Sequence, residues 1–219
     1  MPGNLEAVIW DMDGVIADTG PYHLKAWQET FRKRGVAFSE EDFRRHFGQR
    51  NDTIIGDTLG AGLPNAEVQA IATEKEDRYR QLVSQQVAPL PGAIELIKSL
   101  VAKGVKMAIA SSAPMENIQL ITGSLGLADC FQAVVWGGEV TEGKPSPQGF
   151  LLAAEKLGVE PGNCLVIEDA VAGVAAAKSA GMKCLAVTNS HPAERLTKAD
   201  LVVNALSEVT VNGITALFH

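Results

Sequence analysis

The 219-residue sequence predicts an α/β protein, a doubly wound and mainly parallel sheet interrupted by an inserted all-helical segment. Three features carry that expectation. Short apolar runs alternate with longer helical patterns. Several runs are apolar at every position, as strands covered by helices on both faces require. One long stretch, 18–88, has helical patterns and no convincing strand.

The expected strands, in order, are Ala7–Trp10, Lys106–Ala110, Ala133–Trp136, Cys164–Ile167, Cys184–Val187 and Leu201–Val203. Between them, Pro91–Lys103 repeats apolar residues at Ile94, Ile97, Leu100 and Val101, opens on a proline and stops before Gly104. Pro147–Leu157 precedes Gly158, and Ala170–Ala180 precedes Gly181. The last of these is mostly Ala, Gly and Val, small enough to lie close against a sheet. Within 18–88 the helical patterns are Tyr22–Arg34, Glu40–His46 and Glu67–Gln86. This insertion holds ten of the 19 basic residues, and 88–92 reads as its return hinge. The expected organisation is therefore a core of 1–17 and 89–219 with a helical cap of 18–88.

Composition narrows the functional classes. The formal net charge is −7, which argues against broad nucleic-acid binding. No apolar run approaches the roughly 20 residues of a membrane-spanning helix. Met1–Glu6 lacks the basic and apolar regions of a secretory leader. The three cysteines, Cys130, Cys164 and Cys184, have no metal-ligand spacing and fit a reducing, cytoplasmic setting.

In an open parallel sheet, ligands sit beyond the carboxyl ends of the strands. Asp11-Met12-Asp13-Gly14 follows the first run, Ser111-Ser112 the second and Glu168-Asp169 the fourth. The segment beyond the third supplies Gly143-Lys144-Pro145. Asp11, Asp13, Glu168 and Asp169 together form four carboxylates with only Lys144 to balance them, and like charges oppose one another's ionisation. A hard divalent cation relieves that conflict, and an all-oxygen donor set suits Mg²⁺. Taken singly, each acid could be a solvated loop residue, and Asp169 an N-cap for the helix that follows. Gly14 allows a turn that folds the second carboxylate back over the first, giving a nucleophile beside a proton shuttle.

Asp11-Met12-Asp13-Gly14-Val15, Ser111, Lys144-Pro145 and Glu168-Asp169 resemble, in order, the four motifs of the haloacid dehalogenase superfamily, with its Rossmann-like core. Tyr22-His23-Leu24-Lys25-Ala26-Trp27 and Gly48-Gln49-Arg50-Asn51-Asp52 are similar to the cap of its β-phosphoglucomutase-like phosphatase branch. The resemblance implies that Asp11 attacks phosphorus and becomes an aspartyl-phosphate, while Asp13 protonates the leaving alcohol and then activates water. It implies that Ser111 and Lys144 hold the phosphoryl oxygens; Ser112, next in the chain, is expected to offer the phosphate only its backbone N–H. It further implies Mg²⁺ on Asp11, the Asp13 backbone carbonyl and Asp169, with Glu168 bound directly or through water. The expected partner is a small-molecule phosphate ester, a sugar phosphate, acted on by a monomer or weak homodimer without nucleic acid or membrane.

Asp13 argues against a dehalogenase, which needs no leaving-group protonation. A phosphomutase is the closer rival, because His23, Arg50 and Lys75 fall where that enzyme uses cap residues to meet its substrate. It also grips a distal phosphate with polar residues shortly after its serine. Here those places hold Ala113, Pro114 and Met115, and Phe47 replaces its lysine before the cap glycine. A phospho-acceptor signalling domain shares the acids and the lysine but lacks a helical insertion and a late Glu-Asp pair. His23 and Lys25 share their helix with Trp27 and Phe31, so an ordinary amphipathic helix explains part of that pattern. Lys75, among Glu74, Glu76 and Asp77, could simply pair along its own helix. Trp10 and Trp136 read as sheet-packing residues, and His191 as a loop residue.

Overall fold

The computed structural model describes residues 4–84 and 86–219. Met1, Pro2 and Gly3, read above for a leader, and Gln85, near the end of an expected helix, lie outside the described residues. Six parallel strands, β1 (Ala7–Trp10), β2 (Lys106–Ala110), β3 (Ala133–Val135), β4 (Cys164–Glu168), β5 (Lys183–Val187) and β6 (Leu201–Val203), form one sheet in the order β3-β2-β1-β4-β5-β6. The chain leaves β1 toward β2 on one side and toward β4 on the other, so the order reverses at β1. That reversal opens the crevice in which doubly wound sheets bind ligands.

Alternation along each strand divides the sheet into two apolar faces. Val8, Trp10, Ile109, Ile167 and Leu185 face one side, under α5 (Ala93–Ala102) and α6 (Met115–Ser124). Ala7, Ile9, Ala108, Val166 and Cys184 face the other, under α7 (Gln148–Leu157) and α8 (Val171–Ser179). A short α9 (Val211–Thr215) closes the first face through Ile214. Burial on both sides is the physical reason these runs are apolar throughout. β4 extends one residue past the expected strand and so brings Glu168 into the sheet itself.

Two helix starts differ from expectation. Pro91 stands ahead of α5, whose N-cap is Gly92 at φ 85°; a Cβ there would lie 2.1 Å from the Ser207 backbone nitrogen. Only a residue without a side chain fits that approach. α8 has no side-chain N-cap of its own. Glu168 Oε2 accepts from the backbone N–H groups of Asp169 and Ala170 at 2.8 and 2.9 Å, which precede the helix, and the N-cap position is held by Ala170 rather than by the expected Asp169.

Between β1 and α5 lie α1 (Gly20–Arg32), α2 (Glu40–His46), α3 (Asn51–Leu59) and α4 (Asn65–Val83), with no strand among the described residues there. α2 is defined by a complete capping box, Ser39 with Asp42, acids in its first turn and bases in its last. The helices enclose a separate apolar cluster of Trp27, Phe31, Phe38, Ile54, Ile55 and Ile71. The outgoing and returning chains run side by side. Asp18 N–H donates to the Ala88 carbonyl at 3.2 Å, and Leu90 N–H to the Ile16 carbonyl at 3.0 Å. Among the described residues no helix is long and apolar enough to cross a membrane.

Candidate active site

The register places the ends of β1, β2 and β4 together. Trp10 pairs with Ile109 and Ile167, so Asp11, Ala110 and Glu168 follow at one level. Asp11, Glu168 and Asp169 are buried, and one oxygen from each lies within 4.8 Å of the others. The Lys144 ammonium reaches in from the loop after β3, 2.6 Å from Asp11 Oδ1 and 2.5 Å from Glu168 Oε1. Its burial opposes the positive charge, yet Asp11 and Glu168 hold its pKa above the ordinary lysine range. Burial first, then Glu168 and Asp13, pushes the Asp11 carboxyl up to about 7 against the pull of Lys144. Asp169 is also raised well above the usual range, chiefly by burial.

Close packing makes this possible. Gly14 has φ 84°, and a Cβ there would stand 2.0 Å from Asp169 Oδ2. At Gly173 of α8 a Cβ would meet Glu168 Oε1 at 1.8 Å. The small-residue helix thus rests directly on the acid, as its composition suggested.

Asp13 departs from the four-acid cluster expected. Its carboxylate turns aside to accept from the Thr19 hydroxyl at 2.6 Å and to meet His23 Nε2 at 3.1 Å, both on Oδ1. Burial opposes its charge, but the His23 and Thr19 contacts outweigh it and hold its pKa below the usual carboxylate range. Three acids, not four, therefore surround Lys144. This leaves two formal negative charges without a cation among the described residues, and a divalent ion with oxygen ligands fits that deficit.

His23 and Lys75 belong to the site. His23 is stacked on Tyr79 with centroids 3.8 Å apart, and its Nδ1 lies 2.8 Å from the ammonium of Lys75, which is only 2 % exposed. An ammonium only donates, so Nδ1 accepts, and the ring proton sits on Nε2, directed at Asp13. Lys75 also contacts Glu76 Oε1 at 2.8 Å. The intrahelical pairing and the cleft-facing role are thus both present.

Glu76 is itself buried and held by Lys75, by Asn51 at 2.8 Å and by Asn117 of α6 at 2.6 Å. Burial is overcome by Lys75, His23 and Asn117, and its pKa falls to about 2. A folded value below the ordinary 4.5 means Glu76 stabilises the protein fully above pH 4.5 and progressively less as pH falls toward 2. The stability difference between wild type and Glu76→Gln is therefore expected to be largest near neutrality, on the order of 3 kcal/mol, and to shrink below pH 4.5. A difference that is constant with pH in thermal scans contradicts this.

Ser111 is buried, accepts from the Ala113 N–H at 3.1 Å and lines the same cleft as Asp11, Asp13, His23 and Lys75. The Ser112 hydroxyl donates to the Gly48 carbonyl at 2.8 Å, joining the core to the insertion. Arg50 is not aimed at the acids. Its guanidinium donates to the carbonyls of Gly137 (2.7 Å) and Val140 and pairs with Asp52 at 2.9 Å. Trp136 is half-buried and covers Gly138 rather than packing wholly within the sheet. Four contributors were not anticipated: Thr19, Glu76, Asn117 and Ser190, whose hydroxyl donates to Asp169 Oδ2. Ser190 stands three residues past β5, beyond Thr188 and Asn189, so the strand-end rule points to its loop but not to it.

Fold and site together define a class: doubly wound enzymes with an aspartate pair and a lysine at the sheet's switch point, beneath inserted helices. A family model described as haloacid dehalogenase-like hydrolase matches residues 5–181, and the chain belongs to that family. It is 36% identical to β-phosphoglucomutase of Bacillus subtilis (strain 168), covering 94% of this chain and 92% of that protein. It is 33% identical to the fructose-1-phosphate phosphatase YqaB of Escherichia coli (strain K12), covering 82% and 95%. The crystal structure of β-phosphoglucomutase from Clostridium difficile superimposes with a TM-score of 0.89 at 30% identity, over 98% of this chain and 97% of that one.

Proposed function

We propose that this protein is a Mg²⁺-dependent phosphatase that hydrolyses a small phosphomonoester, a sugar phosphate, through an aspartyl-phosphate on Asp11. The observation that carries this reading is the Lys144 ammonium bridging Asp11 and Glu168, beside Asp169, in a cleft that also holds Ser111 and Asp13. Similarity to a fructose-1-phosphate phosphatase and to sugar-phosphate mutases supports the substrate class.

Asp11 Oδ1 is fixed by Lys144, which leaves Oδ2 to attack phosphorus in line. Lys144 and the Ser111 hydroxyl hold the phosphoryl oxygens as charge spreads over them. Asp13, ionised at rest and oriented by Thr19 and His23 on Oδ1, takes the proton of a monoprotonated phosphate ester on Oδ2 and passes it to the leaving oxygen as the P–O bond breaks. It then takes a proton from the water that cleaves the aspartyl-phosphate. Mg²⁺ held by Asp11, the Asp13 carbonyl and Asp169, with Glu168 directly or through water, would neutralise the phosphate and the acids alike. In this reading residues 18–88 act as a cap on the core of 1–17 and 89–219, excluding water and selecting substrate.

A phosphomutase is the second reading, favoured by the His23–Lys75 pair at Asp13 and the β-phosphoglucomutase likeness. A phosphate-release screen over sugar phosphates, with β-glucose 1-phosphate isomerisation in parallel, separates the two. Release of free phosphate is expected. Removal of divalent ions with EDTA should lower the rate by on the order of 100-fold or more, and added Mg²⁺ should restore it. Glucose 6-phosphate formed without free phosphate would reverse the order of the readings. Stoichiometric phosphorylation without release would point instead to a phospho-acceptor switch.

A further inference from the structure

Lys144 stands in the loop between β3 and α7, and two anchors hold that loop. The first belongs to the core: Gln148 Oε1, at the start of α7, accepts from the N–H groups of Thr141 and Glu142, each at 3.0 Å. The second comes from the insertion. Arg50, the N-cap residue of α3, donates through Nη1 to the carbonyls of Gly137, at 2.7 Å, and Val140. Its methylene stem lies on Gly143, the residue before Lys144, where an added Cβ would stand 2.8 Å from Arg50 Cδ and 3.0 Å from Cγ. A glycine there lets the arginine cross the loop this closely.

The guanidinium is committed to this grip. Nε and Nη2 pair with the two oxygens of Asp52 at 3.2 and 2.9 Å, and with the two carbonyls these bonds use most of the five N–H groups a guanidinium offers. Asp52 lies in the first turn of α3, so it balances the charge from within the insertion and fixes the direction of the fork. Two residues earlier, the Gly48 carbonyl accepts from the Ser112 hydroxyl at 2.8 Å and ties the same stretch to the loop after β2. The hold of Gln148 on the Lys144 loop is internal to the core. That of Arg50 exists only while the insertion is seated.

We propose that Arg50 is a positioning residue that fastens the Lys144 loop to the inserted helices, so that the lysine is seated on Asp11 and Glu168 only with the insertion docked. The effect on rate rests on the phosphatase reading and deepens it; the mechanical link stands apart from that reading. Lys144 Nζ meets its two carboxylates at 2.6 and 2.5 Å, and a misplacement of about 1 Å can cost on the order of 100-fold in rate. A lysine that follows the insertion completes the phosphoryl-holding site only once the cleft is covered.

The test compares wild type with Arg50→Ala on two esters whose leaving groups differ, p-nitrophenyl phosphate and fructose 1-phosphate, at excess Mg²⁺. A displaced Lys144 should lower kcat roughly 100-fold, by the same factor for both. Arg50→Lys keeps the stem and the charge without the fork and should lose less, again equally. A loss confined to the sugar ester and expressed in KM would make Arg50 a reader of the leaving group, and an unchanged kcat would leave it without a role; either overturns the proposal. A second readout needs no turnover. Acetylation by acetic anhydride at pH 8, followed by mass spectrometry, should rise roughly ten-fold at Lys144 in Arg50→Ala. Lys106 of β2, held on the Leu157 carbonyl at 2.8 Å, should not change. No rise at Lys144, or an equal rise at Lys106 from a loosened core, overturns the proposal. If wild type hydrolyses no ester, the phosphatase reading falls, and the labelling alone judges the link between Arg50 and Lys144.

Discussion

Asp11→Asn is expected to abolish phosphate release, by on the order of 10⁴-fold or more, while the protein stays folded. The amide keeps the shape of the side chain but offers no nucleophilic carboxylate oxygen. Stability should move the other way. Burial and the neighbouring acids raise the Asp11 carboxyl to about 7, so its ionised form opposes folding as pH rises from the ordinary 3.8 toward and past that value. The neutral amide escapes this cost. Lys144 keeps Glu168 as a partner at 2.5 Å, so the substitution does not strand a buried cation. Without metal, the variant's Tm at pH 8 should therefore equal or exceed that of wild type. Loss of activity with a preserved or higher Tm separates a missing nucleophile from a collapsed site. Measurable turnover by cleanly purified Asp11→Asn protein would remove Asp11 from the nucleophile's role.

The parts of this site that were legible in the sequence share one property: each belongs to a strand end. β1, β2 and β4 are apolar throughout because both faces are covered, so the first polar residue after each run announces the edge of the sheet. That logic finds Asp11, Ser111 and Glu168-Asp169, and the loop after β3 adds Lys144. It does not say which way a side chain turns. Asp13 was expected among the other acids, and its departure depends on Thr19 and His23, whose positions follow from how α1 leaves the core. Glu76 and Asn117 are still less visible, because they meet only through the packing of α4 on α6. α6 itself gave little periodic signal, with Gly123 near its end and no side-chain cap. α3 is similarly obscure, since Gly56 and the β-branched run Thr53-Ile54-Ile55 weaken its helical pattern. Arg50 shows the limit most directly. Its place after a glycine is readable, but whether a guanidinium reaches a substrate or a loop carbonyl is settled by tertiary contacts alone.

Lys144→Ala should be nearly as damaging to catalysis as loss of the nucleophile, and far more damaging to the fold. Among the described residues, Lys144 is the only cation placed directly on Asp11 and Glu168, with Asp169 at their side. Removing one partner of a buried ion pair leaves uncompensated charge, at a cost of roughly 3–5 kcal/mol. The expected result is a strongly lowered Tm at pH 8 and a fall in kcat on the order of 10³-fold, since a phosphoryl oxygen also loses its cation. Two conditions should rescue stability without rescuing rate. Lower pH protonates Asp11 and Asp169, whose pKa values are already raised and should rise further once the ammonium is gone. The variant should therefore gain on wild type between pH 8 and pH 6. Millimolar Mg²⁺ should also raise its Tm, because an ion bound only to the folded acids shifts the equilibrium by mass action. Restored stability without restored turnover would place the lysine in both roles, neutralising the acids and holding the phosphoryl group. A variant with wild-type Tm at every pH, indifferent to Mg²⁺, would mean that these carboxylates do not share one electrostatic site.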